Sequence, residues 1–194
     1  MIAAYGSGTS TTSRPTATSE IFLLPLVEKV FAWTRKINPT QPLTVGTWNG
    51  NAELNDIIFS HSDIITFHNY NQADALRNAV TELKKHGRPV INTEWLNRPT
   101  GSLVETCLPI FATENVGCMH WGLVNGRTQT HLAWGAQPGS PAPARWQHDL
   151  FHADHSPYAP AEIALFLKRP SAVKSWPSNA TRKSHRMNSN SQTK

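Results

Sequence analysis

The chain has 194 residues with 39% hydrophobic content, which suits one domain with a buried core, and no apolar run approaches the length of a membrane span. Its net charge of +5 is uneven: residues 1–167 carry 11 Lys+Arg against 13 Asp+Glu, a net of −2, while residues 168–194 carry 7 basic residues and no acidic one. The basic balance belongs to the tail, so the body makes no case for nucleic acid as a partner.

In chain order, residues 6–19 (GSGTSTTSRPTATS) read as a flexible linker, low in apolar residues and rich in Ser and Thr. Residues 26–37 (LVEKVFAWTRKI) place Leu26, Val27, Val30, Phe31, Trp33 and Ile37 at helical spacing, and Asn38-Pro39 stops the helix. A β-rich stretch over 43–48 ends in a Trp-Asn-Gly turn, and a short helix covers 54–59. An apolar strand is expected over 63–70 (SDIITFHNY without its first residue), then an amphipathic helix over 73–86 with Leu76, Val80 and Leu83 on one face and Gly87 as its C-cap. A strand over 89–95, a helix near 102–114, a strand over 116–124 and a short proline-initiated helix over 160–168 complete the pattern. Residues 1–22 are thus expected as a disordered N-terminal segment, 23–168 as the folded body and 169–194 as a basic, disordered tail. The first four residues are too short for a signal h-region, and the compartment stays unknown. Cys107 and Cys118 read as small core residues.

Strand–helix alternation with nearly continuous apolar strands predicts a parallel sheet covered by helices. No glycine-rich phosphate turn follows any strand, which argues against a dinucleotide-binding sheet. All four predicted strands end in polar or aromatic residues: Trp48-Asn49, His68-Asn69-Tyr70, Glu94-Trp95, and Trp121 through Asn125. A carboxylate where a buried strand runs out, as Glu94 does, reads as catalytic in parallel α/β barrels; the plainer reading is an acidic residue opening a loop. The tryptophans have core packing as their plainer reading. His148, His152 and His155 cluster in sequence with Asp149 and Asp154, but without a His-Glu-x-x-His helix they read as loop histidines, and neither metal nor cofactor is expected.

The segments PTQPLTVGTWNG, SDIITFHNY, LKKHGRPVINTEW and NVGCMHWGLVNGRTQT, with the stretch from Trp146 to Pro160, together resemble the C-terminal half of a clan A glycoside hydrolase. The likeness runs from about Leu24 to Lys168 and leans toward cellulase-like and 1,4-β-xylanase-like proteins. It implies an α/β fold that is a partial (β/α)8 TIM barrel, strands five to eight with their helices. On this resemblance Glu94 is the nucleophile, Tyr70 its hydrogen-bonding partner and His68 a lining residue. Trp121 then matches the aromatic floor of a sugar subsite. Trp48 and Trp95 are expected as further subsite walls, with Asn49, Asn69, Asn125 and Gln129 holding sugar hydroxyls. The implied partner is a β-linked polysaccharide or oligosaccharide, and relatives of this kind are often secreted or periplasmic.

The resembled family carries its acid/base glutamate in an Asn-Glu-Pro turn ending strand four, and no Asn-Glu-Pro occurs in this chain. A full barrel takes about 250 residues, so strands one to three have no room here. Residues 8–16 (GTSTTSRPT), back-translated and slipped by one nucleotide, can read Trp-Asp-Leu-Tyr-Asn-Glu-Pro-Ala-Asn, which raises the hypothesis of a frame-shifted N-terminus. Reading the DNA in all frames tests it; absence of an Asn-Glu-Pro frame sinks it. The expected function is a truncated, impaired retaining glycosidase. Its rivals are a non-catalytic carbohydrate-binding remnant and a fragment that does not fold alone.

Overall fold

The computed structural model describes residues 17–47, 51–137 and 139–168. Residues 1–16 of the expected N-terminal segment and the whole basic tail lie outside the described residues, as do Trp48 and Asn49, whereas residues 17–22, expected to be disordered, are helical.

The described residues form a mixed α/β structure with a three-stranded parallel sheet and five α-helices, an arrangement compatible with part of an α/β barrel. In chain order these are α1 (Ala17–Ile37), α2 (Ala52–His61), β1 (Ile65–His68), α3 (Ala73–Lys84), β2 (Val90–Glu94), α4 (Val104–Thr113), β3 (Gly117–Cys118) and α5 (Pro160–Leu167). The strands lie in the order β1-β2-β3, so chain order and spatial order agree.

α3 matches its sequence pattern: Leu76 and Val80 are fully buried, and its outer face is charged. Its C-cap is Lys85 rather than Gly87, which lies two residues on with φ +65° and donates its N–H to the Lys84 carbonyl at 3.0 Å. Val104, Cys107, Ile110 and Phe111 of α4 join Leu76 and Val80 against Ile65, Phe67 and Val90 to make the main core. Truncating one such side chain, as in Leu76→Ala, costs about 2–5 kcal/mol. Cys107 and Cys118 are free thiols, and burial pushes the Cys118 thiol up to about 11.

Two expected strands are mostly lost. Of the expected 43–48 strand the described residues 43–47 contribute one parallel bridge, Gly46 opposite Thr66, with Thr47 N–H donating to the Thr66 carbonyl at 3.0 Å. Asp63 meets this segment at Leu43: its carboxylate accepts the Leu43 N–H at 2.7 Å and its own N–H donates to the Leu43 carbonyl at 2.7 Å. Pro42 ahead of it has no N–H to offer. The expected 116–124 strand keeps its ladder only at Gly117–Cys118, although Met119 and Trp121 still donate to the carbonyls of Asn92 and Trp95 at 2.9 and 3.0 Å. The chain then turns at Gly122, where φ is +79° and a Cβ would stand 2.6 Å from Asp149 Oδ1 and 2.8 Å from His148 Cβ, so only glycine fits.

α1 also differs from expectation, starting at Ala17 rather than near residue 26 and carrying Pro25 inside it. A proline there removes one backbone donor without ending the helix. Of its apolar stripe only Val27 and Phe31 are buried, because the helix packs on little beyond α2 and the 43–45 segment.

Candidate active site

The site is built at the C-terminal end of the central strand. β1 and β2 pair with Ile65 opposite Val90, Thr66 opposite Ile91 and Phe67 opposite Asn92, and then His68 opposite Glu94. Thr93 is therefore an extra residue in β2, a bulge. Strict alternation would put Glu94 on the face of Val90 and Asn92, both buried. One inserted residue turns Glu94 to the other face, level with His68, which is the way bulges re-aim side chains near functional sites.

There the Glu94 carboxylate meets two groups on one oxygen. Tyr70 Oη donates to Glu94 Oε2 at 2.7 Å, and His68 Nδ1 stands 3.1 Å from the same Oε2. Glu94 keeps 18% of its side chain exposed and His68 43%, so the group is sheltered without being sealed. Among the described residues both contacts fall on Oε2. Asn69 N–H donates to the Glu94 carbonyl at 3.0 Å, continuing the pairing past β1, while its side chain accepts from Asn71 N–H in a local turn. The Thr100 hydroxyl holds the Tyr70 carbonyl, tying the loop after β2 to the loop after β1.

The remaining expected residues separate. Trp95 is not a subsite wall in this structure: it is fully buried, edge-on to Phe111 at 5.1 Å and near Phe166 at 6.2 Å, because the residue after the bulge points back into the helix layer. Trp121 is half-buried beside the end of β2. Asn125 is half-buried, its N–H held by the Phe151 carbonyl at 2.8 Å, and Gln129 is exposed in a turn at φ +53°. His148, His152 and His155 do not converge: His148 is buried, His152 packs on Trp146 at 4.5 Å and His155 is exposed. Among the described residues no group of three His, Cys, Asp or Glu side chains is placed to hold a metal ion. Among them, too, no helix is long and apolar enough to cross a membrane.

Three groups that sequence reasoning did not assign to this site stand around it. Trp134, from the loop after β3, meets the Tyr70 ring at 5.0 Å and 90°. His148 lies 5.5 Å from the Tyr70 ring and 5.6 Å from the Trp134 ring. Gln147 links them: its Oε1 accepts the Trp134 N–H at 2.9 Å, which fixes the amide so that its Nε2 donates to His148 Nε2 at 2.9 Å. His148 then carries its proton on Nδ1 and donates it to the Leu96 carbonyl. Burial holds the His148 pKa below its ordinary range, opposed by the Leu96 bond and by Asp149. Burial likewise lowers His120, opposed by its backbone bond at Gly122.

Beneath this layer, Arg98 is buried at 2% exposure yet fully engaged. It forms a two-bond fork to Glu162 at 2.9 and 2.6 Å, donates to the carbonyls of Trp146 and Asp149 at 3.3 and 3.1 Å, and lies 4.6 Å over the Tyr158 ring. Asp149 is itself buried, accepting from the Thr130 hydroxyl with His131 Nδ1 3.7 Å away. Nothing local in the sequence separates Arg98 from a surface arginine, since its partners lie 48 to 64 residues away.

No family model matches this chain, and no curated protein matches it. Among solved structures it is similar to that of an agarase, with a TM-score of 0.47 and 14% identity over 80% of this chain. The chain spans 27% of that protein's length, and a likeness of this size assigns neither family nor activity.

Proposed function

We propose that this chain carries the nucleophile half of a retaining β-glycoside hydrolase, with residues 23–168 as strands five to eight of a (β/α)8 barrel. The observation that carries the reading is the convergence of Tyr70 Oη and His68 Nδ1 on Oε2 of Glu94, at the C-terminal end of the central parallel strand. Active sites of parallel barrels lie at that end.

A retaining mechanism uses two carboxyl groups about 5–5.5 Å apart, one attacking and one donating a proton to the leaving oxygen. Glu94 takes the first role. Oε1 attacks the anomeric carbon as the bond to the leaving oxygen breaks; the Tyr70 hydroxyl bond to Oε2 sets the rotation of the carboxylate. Water then attacks the same carbon and releases Glu94. On the family resemblance the second carboxyl group belongs to an Asn-Glu-Pro turn, which this chain does not contain. The carboxylates of Asp63, Glu114, Asp149 and Glu162 are engaged by Arg35, Lys84, Thr130 and Arg98. The substrate on this reading is a β-linked poly- or oligosaccharide.

Loss of a general acid costs roughly 10²–10⁴-fold, but only where the leaving group needs a proton. The test compares 2,4-dinitrophenyl β-glycosides, whose leaving phenolate needs none, with the natural linkage. Wild-type chain is expected to cleave the activated glycosides and to release little sugar from xylan or cellulose, and Glu94→Gln is expected to abolish both. Activated-substrate turnover that survives Glu94→Gln rules out Glu94 as the nucleophile.

A further inference from the structure

We infer that Trp134 is a sugar-stacking platform that binds the pyranose next to the one attacked, and that Gln147 is its positioning residue; the inference rests on the glycosidase reading of Glu94.

Trp134 is 49% exposed, unlike the fully buried Trp95 and the buried Trp146. Exposed tryptophans on loops are ordinarily held by little. This one is held from behind by a buried polar brace, the Gln147 amide at 3% exposure locked to His148 at 1%. A buried amide that accepts one backbone N–H and donates to one imidazole fixes the loop at Trp134 in particular. The perpendicular Tyr70 ring and the tilted His148 ring cover part of the indole, and about half of the residue stays exposed.

Position supplies the second argument. Tyr70 touches both Trp134 and Glu94, so the indole stands one aromatic ring away from the proposed nucleophile. A ligand reaching Glu94 across Tyr70 passes this indole.

The chemistry of the surface selects the ligand. An open indole face attracts flat, C–H-rich faces, which pyranoses with equatorial substituents present along a β-linked chain. No charged side chain touches Trp134 among the contacts described, so the platform suits neutral sugars. Its ligand class is thus a neutral β-linked oligosaccharide that extends beyond the reacting ring.

The experiment is calorimetric titration of the full chain with xylohexaose and cellohexaose in a Glu94→Gln background, which removes turnover. Trp134→Ala in that background is expected to weaken binding roughly tenfold, equivalent to about 1.4 kcal/mol. Trp134→Phe recovers part of the loss. Gln147→Ala, which leaves the indole in place but unbraced, falls between them. Melting temperatures within a few degrees of the parent show that the variants fold. Equal binding by Glu94→Gln with and without Trp134→Ala overturns the platform, as does wild-type turnover of dinitrophenyl glycosides with no hexaose binding. Absence of both turnover and binding removes the glycosidase reading as well.

Discussion

Between residues 23 and 61, α1 and α2 meet the 43–45 segment through Val27, Phe31, Leu43, Leu54 and Ile58, an apolar cluster with a groove beside it that includes Leu26, Val30 and Val45. Between residues 90 and 162, the loops beyond β2 and β3 are joined by buried polar groups: Arg98 with Glu162, Gln147 with His148, and Thr130 with Asp149. The apolar groove contains none of the groups that approach Glu94. Apolar contact is non-directional and tolerates small displacements, whereas a forked ion pair or a fixed imidazole tautomer holds one geometry. The polar half of the molecule is therefore the half able to position a carboxylate, and the apolar half serves as support.

The comparison is broken most severely at Arg98. Arg98→Ala strands Glu162 in a largely buried place and removes two carbonyl caps, so it is expected to lower unfolding free energy by about 3–5 kcal/mol in a denaturant titration. A loss below about 1 kcal/mol would make the buried fork ornamental and the contrast empty. Ile58→Val, in the apolar cluster, is expected to cost only about 0.5–1.5 kcal/mol by the same titration.

The polar half should also answer to acid. His148 has a folded-state pKa below the 6.5 of the unfolded chain, so the unfolded chain takes up the proton first. Stability is then complete above about pH 6.5 and declines as pH falls below it, with His120 acting in the same direction. Thermal melts from pH 8 to pH 5 are expected to show a plateau and then a decline, and His148→Gln to shallow that decline. A flat profile in the wild type contradicts the assigned protonation.

Much of the scaffold was legible because it rests on local periodicity. Leu76 and Val80 at helical spacing and the apolar runs around Ile65 and Val90 are enough to place α3, β1 and β2. The pairing of Tyr70 and His68 with Glu94 was expected from the family resemblance rather than from periodicity, and the described residues place the three side chains together. The bulge at Thr93 was not legible, since a run such as Val90 to Trp95 reads identically with or without it. Trp95 went to the core for that reason, and the expectation of a subsite wall there fails. Trp134, Gln147 and Arg98 depend on partners 13 to 64 residues distant, beyond the reach of any local pattern. Over 43–47 only the Gly46–Thr66 bridge forms, and the side chain that meets Leu43, Asp63, lies 20 residues on.

The proposed role of Glu94 is attack on the anomeric carbon. It is tested most directly by incubating the chain with 2-deoxy-2-fluoro-β-xylosyl and β-glucosyl fluorides, which form glycosyl-enzyme esters that hydrolyse slowly, and locating the added mass by peptide sequencing. One adduct per chain on Glu94, absent from Glu94→Gln, is the result predicted here. No adduct, or an adduct on another carboxylate, contradicts it.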